Sequence, residues 1–243
     1  MINLSTPSEK LLKEINVDLE KVNYWVRKKC GNFKSTAWKN KYLSYRKRWY
    51  EERKPFIGDT YEYMSPNGNK WFIYEQIFRP KGAPDIICTV NRIIYWETCN
   101  SIGCFWPSWH YDEKGEVHDS CYIYTGHFFQ RVCERMKITG GSKEMLIGFL
   151  GEFAYKPLQE DIDKNGNPCC IIRMNHCGYG FGVRREDNPL IIEVRTFLSE
   201  ENMSASRLAK YQKLAEQTET DTFEEEGMLF SASCSHKRGE LML

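Results

Sequence analysis

The hydrophobic period of this chain changes sharply between Pro55 and Gly58. From Pro7 to about Lys54 the sequence reads as helix, with Gly31 the only interruption, and Leu11, Leu12, Ile15, Leu19, Val22 and Val26 recur at spacings near three and four. That pattern buries one face of a helix. Beyond Gly58 the period falls to about two in the runs TYEYM, KWFIYEQIF, DIICTV, RIIYWETC and SCYIYT. SPNGNK carries the asparagine and glycine of a hairpin turn, and DEKGEVHD reads as a second turn between FWPSWHY and SCYIY. Helices followed by hairpin-linked strands specify an α+β fold with a mostly antiparallel sheet, packed helices and an N-terminal helical segment.

After the strands comes YIYTGHFFQRVCERM, whose His127, Arg131 and Arg135 stack along one helical stripe while Phe128, Phe129, Val132, Cys133 and Met136 form the apolar side. A second, short helix is expected from about Ser142, with Met145, Leu146, Phe149 and Leu150 inward. CCIIRMN, GYGFGVRRE and LIIEVRTFL then have strand composition. Glycines 178, 180 and 182 alternate, so one face of that strand is nearly free of side chains and open to close approach by a helix or ligand. A last helix is expected within SEENMSASRLAKYQKLAEQ, capped by Ser199, followed by a mobile charged tail. The expected organisation is a helical segment over 1–55, an α+β unit over 56–200, and a helix with tail over 201–243.

With 34 basic and 33 acidic residues the net charge is +1, so any attraction to nucleic acid must be local. The most basic stretch runs from Phe33 to Lys54, where cations interleave with Trp38, Tyr42, Tyr45, Trp49 and Tyr50. Such interleaving suits base stacking and phosphate pairing, or simply packed aromatics beside solvated lysines. The start MINLSTPSEKLLKE lacks a secretory signal pattern and no apolar run has the length of a bilayer span, so the expectation is a soluble cytoplasmic protein with no membrane partner. Its ten cysteines are then expected to be reduced and several of them buried.

The order of a helix carrying His127, Arg131 and Arg135, a short helix, a glycine-rich strand and the final strand IIEVRTFLS resembles the RelE-like toxin superfamily, which shares a fold with barnase and the colicin ribonucleases. The resemblance spans about residues 122–199 and is one of layout. The preceding strands and N-terminal helices exceed a minimal toxin of this kind. It implies metal-independent RNA cleavage by attack of the ribose 2′-hydroxyl, with RNA as substrate, an antitoxin or other protein as partner and no cofactor. On that basis His127 is the base or acid, Arg131 and Arg135 clamp phosphate, Thr196 adds a hydroxyl, and Tyr179 or His176 is the second proton carrier.

Two alternatives stand beside it. One is a non-enzymatic interaction or nucleic-acid-binding protein of phage or mobile-element origin, acting through the basic aromatic segment. The other is a structural zinc protein using Cys99, Cys104, His110, His118 and Cys121, which offer two close ligand pairs. The spacing of Cys99 and Cys104 is wider than a usual zinc knuckle, and buried thiols are the favoured explanation. Cys169 and Cys170 are adjacent in a strand, so they face opposite ways. The same geometry discounts Cys177 and His176 as a nucleophile and base pair.

Overall fold

The computed structural model describes residues 1–29, 35–79, 83–97, 101–111, 114–138, 141–152, 159–162, 166–174 and 178–214. Among these, α1 (Ser8–Lys29) and α2 (Thr36–Glu52) precede five strands: β1 (Phe56–Met64), β2 (Lys70–Phe78), β3 (Ile87–Glu97), β4 (Ile102–Tyr111) and β5 (Val117–Tyr124). Next come α3 (Gly126–Met136), α4 (Ser142–Glu152) and the strands β6 (Gln159–Ile162), β7 (Pro168–Met174), β8 (Gly178–Arg184) and β9 (Ile191–Ser199). A further helix covers 205–214. The strands form one sheet in the order β1-β2-β3-β4-β5-β9-β8-β7-β6. Only the β5–β9 pair among them is parallel, so the architecture is α+β, as the change of period requires.

Local chemistry sets the ends of these elements. Ser35 caps α2 by accepting from the Trp38 amide at 3.2 Å, and Arg53 closes it in a left-handed conformation with its amide on the Trp49 carbonyl. Thr125 caps α3 through the Phe128 amide, and Lys137 ends it as Arg53 ends α2. The SPNGN turn joins β1 to β2 with Gly68 at a φ of +80°. DIICTV and RIIYWETC, expected as separate strands, are one: β3 runs through Asn91, whose side chain donates to Gln76 and Thr89. Its pairing with β4 covers only Ile94–Glu97 against Ile102–Phe105. Pro107 follows in β4 without an N–H to offer a neighbour.

Each face of the sheet has its own core. On one face Phe128, Phe129 and Val132 of α3 and Leu146, Phe149 and Leu150 of α4 pack on Phe72, Tyr74, Tyr124, Ile172 and Phe197. On the other, Leu11, Ile15, Val22 and Val26 of α1 cover Trp71, Ile73, Phe105, Ile123 and Ile191. Burying one such side chain stabilises by about 1.5–3 kcal/mol, so the apolar stripe of α1 holds it to the sheet. Asp18, in the same stripe of α1, accepts hydrogen bonds from Asn67, Asn69 and the Trp71 indole at 2.8, 2.7 and 3.3 Å. At the start of α1, Asp187 takes the Ser8 amide and hydroxyl while Arg185 donates to the Thr6 and Leu4 carbonyls.

One local expectation is corrected. Ser199 does not cap a long helix. It precedes a 3-10 turn, Glu200–Asn202, and its hydroxyl accepts from Asn202 rather than from a backbone amide. The helix itself starts at 205. The short edge strand β6 has the polar sequence QEDI, which carries no strand signature. The tail from 215 onward lies outside the described residues.

Candidate functional site

α3 stands on the sheet because β8 lets it. A Cβ placed on Gly180 would sit 3.2 Å from Phe128 Cε2 and 3.1 Å from Val194 Cγ1, so the absent side chain is what admits the Phe128 ring. With Phe128, Phe129 and Val132 turned inward, His127 is exposed and Arg131 and Arg135 are half-buried along the outer stripe. Arg131 Nη1 lies 3.0 Å from Glu134 Oε2, an exposed pair of small energetic weight. Arg135 differs: its Nη1 is buried and meets no hydrogen-bond acceptor among the described residues. A guanidinium N–H shielded from water without an acceptor is costly, and an anion reaching it would remove that cost.

The other two residues assigned to this site lie elsewhere. In the β8–β9 ladder Gly180 faces Phe197, and both meet α3, so the alternate pairs Tyr179–Leu198 and Phe181–Thr196 point to the opposite face. Tyr179 is fully buried there, its ring 5.3 Å from Tyr211, and its hydroxyl has no hydrogen-bond partner among the described residues. Burial raises its phenol above the ordinary range, with Glu200 adding to the effect and Arg173 opposing it. That direction makes it a poorer proton carrier near neutrality. Thr196 lines a cleft beneath the 205–214 helix. The structure therefore brings His127, Arg131 and Arg135 together and holds Tyr179 and Thr196 across the sheet from them. His176 and Cys177 lie outside the described residues.

The zinc candidates divide in the same manner. Cys104 belongs to the core under α3 and α4, whereas Cys121 belongs to the core under α1, so their thiols point to opposite faces. Both are fully buried, and burial pushes both thiols up. Among the described residues no group of three or more potential ligands is close enough to hold a metal. Cys99 and the side chain of His110 lie outside them. Cys169 and Cys170 do face opposite ways, one toward Tyr211 and the other into the α3 core.

The basic segment gives a different picture. Tyr42, Tyr45 and Trp49 of α2 pack on Phe56, Ile77 and Ile86. Tyr45 and Lys41 both bond the fully buried Glu75, at 2.7 and 2.6 Å, and Lys41 also meets Asp59 at 2.7 Å. Arg46, Arg48 and Lys47 face Asp85, Glu52 and Glu51. Lys39, Arg53 and Lys54 are exposed and form no ion pair among the described residues. The Arg53 guanidinium lies 5.7 Å from the Trp49 ring centre and 5.0 Å from Tyr50, and Arg79 comes in from the end of β2 to 5.7 Å from the same indole. Arg79 entered no sequence motif, because only the fold carries it to α2.

No family model, curated protein or solved structure matches this chain. No helix among the described residues is long and apolar enough to cross a membrane.

Proposed function

We propose that this protein binds RNA, without cutting it, through the outer face of α2 and the end of β2. The observation that carries this reading is the convergence of Arg53 and Arg79 on the Trp49 indole, each at 5.7 Å, beside Tyr50 and Lys54 and with no carboxylate bonded to either guanidinium among the described residues. Two like charges held against one ring repel, and a phosphate between or beside them turns that repulsion into attraction. The exposed parts of the partly buried Trp49 and Tyr50 rings supply stacking surface for unpaired bases. Over 36–54 seven lysines and arginines stand against two glutamates, in a chain whose total charge is +1.

Fluorescence anisotropy with a labelled single-stranded RNA of about 20 nucleotides tests it, in salt from about 50 to 200 mM. Binding should weaken steeply with salt, and the pair Arg53→Glu, Lys54→Glu should reduce affinity by at least about tenfold and flatten the salt slope. Absence of binding at the lowest salt by the folded protein, or an unchanged affinity in the double variant, removes the proposal.

A second reading, metal-independent RNA cleavage of the RelE-like type, is favoured by the exposed His127 and the unsatisfied Nη1 of Arg135 on the same stripe. The same RNA, incubated in EDTA, distinguishes the two. Cleavage to 2′,3′-cyclic phosphate ends that disappears in His127→Ala and Arg131→Ala would displace the binding-only proposal, whereas intact RNA in a saturated complex supports it.

A further inference from the structure

On the face of the sheet away from α3, the 205–214 helix covers Tyr179 and Ile171 but leaves a cleft of about 850 Å³ beside it. Ile162, Phe181, Val183, Thr196 and Leu198 form the floor, and Arg195, Arg207, Lys210 and Asp161 stand at the sides. Phe181, Val183, Thr196 and Leu198 are each partly exposed, so the floor is open to solvent. Three cations face one carboxylate, and that carboxylate is already engaged: Lys210 Nζ bonds both Asp161 oxygens, at 2.7 and 2.6 Å. Arg195 shares Glu193 with Arg185, so two guanidiniums divide one carboxylate. The Arg207 guanidinium lies 5.0 Å from the Phe181 ring centre, its Nε on the Tyr211 hydroxyl at 3.2 Å, and it forms no ion pair among the described residues. The ring and the Tyr211 hydroxyl engage that guanidinium through its Nε side, and its terminal N–H groups, which bond no acceptor among the described residues, can serve a two-oxygen acceptor.

We infer that this cleft binds a small organic anion, an apolar body lying on the floor with its phosphate or carboxylate head held by Arg207 and Arg195. The volume falls in the range of metabolite-sized sites, and an apolar surface with a few convergent polar groups is the usual make-up of such a site. The site is separate from α2, so it stands or falls independently of RNA binding.

Isothermal titration of the full chain with hexyl phosphate, with decanoate and with inorganic phosphate tests it. At least one of the two amphipathic anions should bind about tenfold or more tightly than inorganic phosphate, and whichever does so identifies the head group. Arg207→Gln should weaken that binding about tenfold or more, and Arg195→Gln, at a 60 % exposed side chain, should weaken it as well in protein shown to be folded by circular dichroism, while Arg53→Glu leaves it unchanged. Failure of both amphipathic anions to bind, inorganic phosphate binding equally well, or affinity that survives both substitutions overturns the inference.

Discussion

Single residues in β8 decide how closely α3 can pack. At Gly180 an added Cβ meets side chains, the Phe128 ring and a Val194 methyl, which can shift by a few tenths of an ångström. At Gly182, where β9 bulges, it meets backbone, with Glu193 O at 2.5 Å. Gly182→Ala should therefore destabilise by about 3 kcal/mol and Gly180→Ala by about 1 kcal/mol, measured by urea unfolding, and equal costs would show that β8 has more freedom than this packing allows. The alternating glycines were legible in the sequence as a strand face without side chains. Which helix would use that face was not, since nothing local in GYGFGVR refers to Phe128. Asp18 is a similar case. Its place in the apolar stripe of α1 is plain from the spacing, yet its reason is a turn some fifty residues later whose asparagines it binds.

At the scale of elements, polar fastenings attach helices to the sheet. Glu75 is a fully buried carboxylate whose charge is balanced by Lys41, with Tyr45 donating a further hydrogen bond. Burial works against the charge on Lys41, but its bonds to Asp59 and Glu75 prevail and raise its pKa. Lys41→Ala should cost about 3–5 kcal/mol by chemical denaturation, because it strands Glu75 without a cation, and a cost under about 1 kcal/mol would show that the Lys41–Glu75 pair does not hold α2 to the sheet. Glu193 is fastened in the same way. Burial alone would raise its pKa, yet the hydrogen bonds from Arg195 and Arg185 outweigh it and hold the carboxyl below the usual glutamate range. Hydrogen bonds from Ser8 likewise lower Asp187. A depressed folded-state pKa contributes stability that is present above the unfolded value, near 4, and is lost as pH falls through the folded value. Glu193→Gln should therefore lower stability at pH 7 and weaken its dependence on pH below about 4, which acid titration followed by circular dichroism will read. An unchanged acid dependence would contradict the pairing with Arg185 and Arg195.

Across the whole molecule, the sheet acts as a partition. His127, Arg131 and Arg135 lie on one side; Tyr179, Thr196, the anion cleft and the α1 and α2 layer lie on the other. The stripe on α3 was readable because helical spacing alone places residues four apart on one face. Its separation from Tyr179 and Thr196 was not readable, because the bulge at Arg195 and the pairing of β8 with β9 set which face each residue takes. The sequence by itself determined the kinds of element, most of their order and the basic character of α2, since these follow from periodicity, caps and turn residues within a few positions of one another. Only the tertiary structure decided that β9 inserts between β5 and β8, that Arg79 joins Arg53 on Trp49, and that Arg195 and Arg207 flank one cleft. Those neighbours are distant in sequence, and contacts of that kind form only when the burial of two complete cores fixes the strand order and the face each side chain takes.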